Sequence, residues 1–177
     1  MTAVLSLHSK LGLRLHEQVL HCYSLAEGYY LKPFPRPEVL INLKGRSAGI
    51  AELQANRLRF NAILLRENTP EFLSSVIPHE VAHLLAWQLY GAKIRPHGKE
   101  WQQIMQQVFN LVPSRTHNFD IQRAAKLDYF YTCACINKKH ALTLRRHNKI
   151  TRGQTYICLT CKSNLHYLGT SSNLNMK

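Results

Sequence analysis

The sequence predicts an α+β protein in two parts. A first domain, residues 1–125, combines helices with a small antiparallel sheet, and a small basic module follows over residues 126–177. Three observations carry this. Helical periodicity brackets a β-branched, alternating stretch between residues 39 and 64. An apolar helical stretch carries the segment PHEVAH, residues 78–83. Four of the five cysteines stand in two close pairs, Cys133/Cys135 and Cys158/Cys161, far from Cys22. Apolar residues make up 45 % of the 177, enough for a genuine core, and no low-complexity run argues for extensive disorder.

Leu15, Val19, Cys22, Tyr23 and Ala26 recur at helical spacing and predict an amphipathic helix from about Leu11 to Tyr29, with Cys22 buried in it. KPFPRP has three prolines in six residues and reads as an extended connector. Val39–Leu43, Ala48–Leu53 and Arg57–Leu64, separated by KGRS and QAN, read as three antiparallel strands. Thr69-Pro70-Glu71 opens a helix, with Thr69 as its cap and Pro70 in its first turn. The pattern runs to Tyr90 and stops at Gly91; Pro78 inside it implies a kink or a fresh start. From His97 a third helix sets Trp101, Ile104, Met105, Val108 and Phe109 on one face and closes at Pro113. SRTHNFDIQRAAKLD is linker-like, with His117 and Asp120 read as cap or supporting residues. The alternation in LTLRRHNKI predicts a strand with positive charge along one side.

The N-terminal residues give no unbroken apolar stretch, because His8, Lys10, Arg14 and His16 interrupt them, so neither a signal peptide nor a membrane span is expected. Paired cysteines in a chain without a secretion signal suggest metal thiolates and a cytoplasmic location. The net charge of +13 is uneven. Residues 1–120 carry 13 Lys/Arg against 9 Asp/Glu, a balance of +4; residues 121–177 carry 10 against Asp128 alone, a balance of +9. A basic C-terminal module suggests a polyanionic partner, most often nucleic acid, so a cytoplasmic protein associated with the nucleoid is also an expectation.

Within PHEVAH, His79 and His83 are four apart, one turn of a helix, so both imidazoles can reach one zinc ion. Glu80 flanks such a metal without binding it, placed to take a proton from water. The bland alternative is a polar helix face. Against it, the surrounding residues are apolar almost all round, and burying a carboxylate with two imidazoles is costly unless they are paired or ligated. His97, in RPHGKEW after the turn at Gly91, is the candidate third ligand. Three protein ligands leave a fourth position open, the arrangement of catalytic zinc.

In the tail, Cys158-x-x-Cys161 is a zinc knuckle, and Tyr156 and Ile157 read as a strand leading into it. Cys133-Ala-Cys135 is one residue short of the usual partner knuckle. Four thiolates, or three with His140 or His147 in place of one, would close a structural zinc site. Lys138, Lys139, Arg145, Arg146, Lys149 and Arg152 are the candidate nucleic-acid contacts, while Tyr129, Tyr131 and Tyr156 read as packing residues. Asn61 is read evenly as a cleft residue or a strand-end turn residue, and Trp101 as a core anchor beneath His97.

The run PHEVAHLLAWQLYGAKIRPHGKEW, with GRSAGIAEL and RLRFN upstream and SRTHNFD downstream, resembles the SprT family of zinc metallopeptidase-like proteins over nearly the whole chain. The resemblance implies a compact zincin-like domain, zinc on His79, His83 and His97, Glu80 as the catalytic glutamate and a C-terminal zinc ribbon, from whose usual CxxC form the CxC pair departs. The Spartan branch of the family cleaves proteins crosslinked to DNA, and a peptidase activity is implied for the bacterial branch. The expected partners are therefore DNA, single-stranded or damaged, and proteins bound or crosslinked to it, with no membrane. A zinc-stabilised nucleic-acid-binding protein without catalysis is the alternative, and a metallohydrolase of non-peptide substrates a weaker third.

Overall fold

The computed structural model describes residues 9–114, 119–121, 124 and 129–170. The chain divides into two compact units, Met1–Asp120 and Ile121–Lys177, and combines α-helices with two small sheets.

In the first unit, helix α1 (Lys10–Tyr30) is capped by Ser9, whose hydroxyl accepts the Gly12 N–H. It buries Leu15, Val19, Cys22, Tyr23 and Ala26. The proline-rich connector is held at its start: Phe34 is buried, its N–H donates to the Glu27 carboxylate, and Arg36 grips the same carboxylate at 2.6 and 2.8 Å. These donors hold the Glu27 carboxyl down to about 2, with the Arg36 hydrogen bonds the main cause.

Strands β1 (Glu38–Leu43), β2 (Gly49–Glu52) and β3 (Arg57–Asn61) form a sheet in the order β1-β3-β2. The sheet is mixed, which corrects the antiparallel expectation: β2 runs antiparallel to β3, but β1 runs parallel to it. The reason lies in the connection after β1. Residues 44–48 do not make a hairpin but pass the C-terminal end of β3 and place β2 on its far side. Leu58 and Phe60 of β3 are fully buried, while Arg57 and Arg59 alternate with them and pair with Glu38 and Glu52.

Asn61 holds that crossing together. Its Nδ2 donates to the carbonyls of Gly45 and Ser47 at 2.9 and 3.3 Å, its N–H to Ala48 O, and its Oδ1 accepts from Ile63 and Leu64. Those last two bonds start helix α2 (Ala62–Glu67), so the expected third strand turns helical at Ala62.

Helix α3 (Thr69–Glu71) follows, one residue earlier than expected: Asn68 is the cap, and the Thr69 hydroxyl donates back to Leu65 O at 2.7 Å. A π turn, Phe72–Val76, joins it to helix α4 (Ile77–Tyr90), and the Ile77 N–H reaches Phe72 O, five residues back. Pro78 thus stands in the first turn of α4, the fresh start that the sequence allowed. A proline lacks an N–H and crowds the carbonyl four residues before it, and the widened turn gives it room at the head of α4. A 3-10 turn (Gly91–Lys93), helix α5 (Lys99–Gln103) and a second π turn (Ile104–Val108) follow, with Trp101, Ile104 and Met105 buried.

In the second unit, β4 (Tyr129–Thr132) is central in an antiparallel sheet of order β5-β4-β6, with β5 (Lys139–Leu142) and β6 (His166–Thr170). The expected strand LTLRRHNKI is instead helix α6 (Leu144–Thr151), capped by Thr143, whose side chain accepts the Arg146 N–H. Thr143 three residues before Arg146 was the overlooked capping signal. The expected strand end at Tyr156 and Ile157 is reduced to a single bridge between Ile157 and Asn164. His117 lies outside the described residues.

Asn61→Ala removes a helix cap and leaves two loop carbonyls without their donor, so it is expected to cost about 2–3 kcal/mol in urea unfolding. Asn61→Asp keeps the cap acceptor but sets a carboxylate oxygen against the Gly45 and Ser47 carbonyls in a buried site, and should cost at least as much.

Candidate metal centres

Helix α4 sets His79 and His83 on consecutive turns of one face. His97 reaches them from the turn after Lys93 through a left-handed backbone, φ 55°, which is uncommon outside glycine. Gly98 makes this turn possible. Its N–H donates to Arg95 O at 2.9 Å, and a Cβ there would lie 2.8 Å from that same carbonyl. The three Nε2 atoms converge: His79 and His83 are 3.2 Å apart, His83 and His97 3.2 Å, His97 and His79 3.0 Å. Tetrahedral zinc with bonds of roughly 2.0–2.1 Å spaces its ligands about 3.3 Å apart, so the cluster fits one such ion closely. Burial, with the other two imidazoles, pushes His83 down to about 3, which keeps its ring neutral and its lone pair free for a metal.

Helix α5 holds the trio from below. The Trp101 ring centroid lies 4.8, 5.5 and 4.7 Å from those of His79, His83 and His97, and the side chain is 1 % exposed. Its indole N–H donates to His79 O at 3.2 Å, and the Gln102 amide next to it donates to His97 O at 3.0 Å. Two adjacent residues thus fix the backbone of two of the three histidines. Trp101 is the anchor the sequence suggested, under all three rings. Gln102 carried no sequence signal beyond following that tryptophan.

Glu80 packs against the sheet and is 9 % exposed. Burial pushes its carboxyl up to about 7, against the lowering effect of a hydrogen bond from the Ala51 backbone. Its side chain packs over Gly49, where a Cβ would approach Glu80 Cγ to 2.6 Å. Strand β2 is an edge, bonded to β3 on one side. Asn61 takes the strand-end role and caps α2.

The second cluster lies in the C-terminal unit. The sulfurs of Cys133, Cys135, Cys158 and Cys161 all fall within 4.8 Å of one another, and all four cysteines are free of disulfides. The short CxC spacing thus still brings both thiols in. Four thiols complete a tetrahedral set without a histidine. His140 stands beside them, its Nε2 3.3 Å from Cys133 Sγ, placed to support that sulfur. His147 lies elsewhere, hydrogen-bonded to Tyr131 OH at 2.8 Å and stacked on Tyr129 at 4.0 Å. Both tyrosines therefore pack, with Tyr131 buried.

Ser163, which sequence reading missed, ties the two knuckles. Its hydroxyl oxygen accepts the Ala134 N–H and lies 3.1 Å from Cys161 Sγ, and its carbonyl accepts the Cys158 N–H. The serine hydroxyl, then its backbone, hold the Cys161 thiol down to about 5, and the Cys161 backbone lowers Cys158. A serine two residues after a CxxC pair was the available signal.

Of the basic residues, Arg145, Lys149 and Arg152 line one shallow groove of about 390 Å³ with Leu144 and Asn148 along α6. Arg146 is exposed on the same helix but is not part of that lining. Lys138 donates to Thr160 Oγ1 at 2.7 Å, between the knuckles, and Lys139 opens β5. No helix among the described residues is long and apolar enough to cross a membrane.

The profile of the SprT-like family matches residues 19–120. The chain is 51 % identical over 150 residues to Protein SprT of Shewanella oneidensis, covering 84 % of this chain and 94 % of the relative. Similarity to Protein SprT of Pseudomonas putida is 46 % over 155 residues (88 % and 94 % covered), and to that of Pseudomonas fluorescens 44 % over 156 (88 % and 95 %). No solved structure matches the chain. A profile that takes in the histidine trio and Glu80, with relatives of nearly the same length, establishes that the chain belongs to the SprT-like family.

Proposed function

We propose that the protein is a zinc-dependent endopeptidase with a zincin-like first unit, acting in the cytoplasm on proteins bound or crosslinked to DNA. One observation carries the reading: three imidazole nitrogens within 3.2 Å of each other, with the buried carboxyl of Glu80, next to His79 in sequence, not among them. His79, His83 and His97 would hold the zinc ion, which supplies Lewis acidity toward a peptide carbonyl and acidifies water when bound. Glu80 accepts the proton of the attacking water and delivers it to the leaving nitrogen. Among the described residues no strand lies on the side of β2 away from β3, and that side offers main-chain groups to an extended peptide, which favours a protein substrate over a non-peptide one.

The second unit would hold a structural zinc on Cys133, Cys135, Cys158 and Cys161 and recruit DNA, single-stranded or damaged. Arg145, Lys149 and Arg152 share one groove of α6, and such a row of cations suits a phosphate backbone. Arg146, Lys138 and Lys139 add charge around it.

Proteolysis of a DNA-binding protein, with and without single-stranded DNA, tests the reading. Wild type should cleave when DNA is present, and Glu80→Gln should lose at least about 10³-fold while keeping its zinc. Inactivity of both proteins, with tight and salt-sensitive DNA binding, would leave the chain a zinc-stabilised binding protein instead.

Metal analysis should find two zinc ions per chain in wild type, one in His83→Ala and one in Cys158→Ser, each variant losing a different ion. Replacing Arg145, Lys149 and Arg152 together by Gln should weaken single-stranded DNA binding and reduce the log–log salt slope by about 2.

A further inference from the structure

Gly49 has no backbone reason to be glycine. It lies in β2, paired with Phe60 of β3, and its φ is outside the left-handed region that favours glycine. Inside a strand, glycine costs roughly 0.5–1 kcal/mol relative to alanine and gives nothing to pack. What fills the space is Glu80. A Cβ on residue 49 would lie 2.6 Å from Glu80 Cγ, 3.0 Å from its Cδ and 3.0 Å from Oε1. Real Cβ atoms do not approach so closely, so the strand or the carboxyl would have to move. Neither moves freely. β2 is held by its ladder to β3 and by the Asn61 N–H to Ala48 O next to Gly49. Glu80 sits on α4 between two histidines of the metal cluster, buried and bonded to the Ala51 backbone two residues along β2.

We infer that Gly49 is a positioning residue for Glu80: its missing side chain is the slot in the edge strand that seats the carboxyl. The inference rests on the reading of Glu80 as the proton carrier for its catalytic consequence, but the seating itself is independent of activity. Any side chain at position 49 displaces the carboxyl by a sizeable part of an ångström, while His79 and His97 stay tied through their carbonyls to Trp101 and Gln102. The metal centre and the proton carrier are thereby separable by one substitution.

A double-mutant cycle on the zinc-loaded full chain tests this, with wild type, Gly49→Ala, Glu80→Ala and the double variant compared for thermal midpoint, zinc content and DNA-dependent proteolysis. Gly49→Ala is expected to lower the midpoint by about 5 °C or more when Glu80 is present. In the Glu80→Ala background, where the space is vacant, the shift should vanish or reverse. Proteolysis by Gly49→Ala should fall about 100-fold with zinc content unchanged, the scale of a 1 Å misplacement of a reacting group. An equal drop in midpoint in both backgrounds would overturn the inference, because the glycine would then serve the strand alone. So would no drop in either, or full proteolysis by Gly49→Ala. If Gly49→Ala fails to fold alone but folds in the Glu80→Ala background, the coupling is established in its strongest form. An inactive wild type would sink the peptidase reading and leave the thermal cycle to decide the seating by itself.

Discussion

Three imidazoles whose nitrogens stand 3.0–3.2 Å apart, with a buried carboxyl beside them, are the constraint around which the first unit is arranged. Polar groups taken from water need partners, and here they are supplied by backbone and aromatic neighbours from three directions. Trp101 covers one side of the rings and bonds to the His79 backbone, Gln102 restrains His97, and β2 receives Glu80. Remove the convergence and much of the local geometry loses its reason: the left-handed His97, the tight turn at Gly98 and the glycine in an edge strand.

The irregular helices serve the same arrangement. Pro78 directly precedes His79, at the place where a proline would otherwise end a helix, and the π turn before it lets the chain enter α4 without a break. A second π turn follows α5, and Phe109 N–H reaches Ile104 O five residues back, after the stretch that carries Trp101 and Gln102. Both widened turns flank the elements that bear the site, a placement common for such turns. In the second unit the four-cysteine cluster draws together two segments far apart in sequence. The sheet strands of this unit are four or five residues long, and the knuckles are tied by one serine and by thiols.

Much of this was legible in the residues because it depends on local spacing. The i, i+4 histidines, the apolar surroundings of Glu80, the two cysteine pairs and the first helix follow from periodicity alone. What was not legible depends on partners far apart in sequence. The parallel pairing of β1 with β3 is set by where residues 44–48 cross, and three short alternating runs look alike whichever way they pair. Gly49 and Glu80 are distant in the chain, and nothing in GRSAGIAEL signals a carboxyl above the glycine. LTLRRHNKI misled for another reason: its alternation suits a strand, but Thr143 supplies a cap, and His147 then packs against Tyr129 and Tyr131 from a helix.

The register of β2 on β3 has a meaning beyond the sheet. Gly49 lies opposite Phe60 and Ile50 opposite Arg59, so a slip of one residue would exchange the two faces of β2 and turn the isoleucine side chain toward Glu80. A mispaired sheet then cannot close on α4 without expelling that carboxyl. Seating Glu80 over residue 49 therefore goes with this register and not with one shifted by a residue.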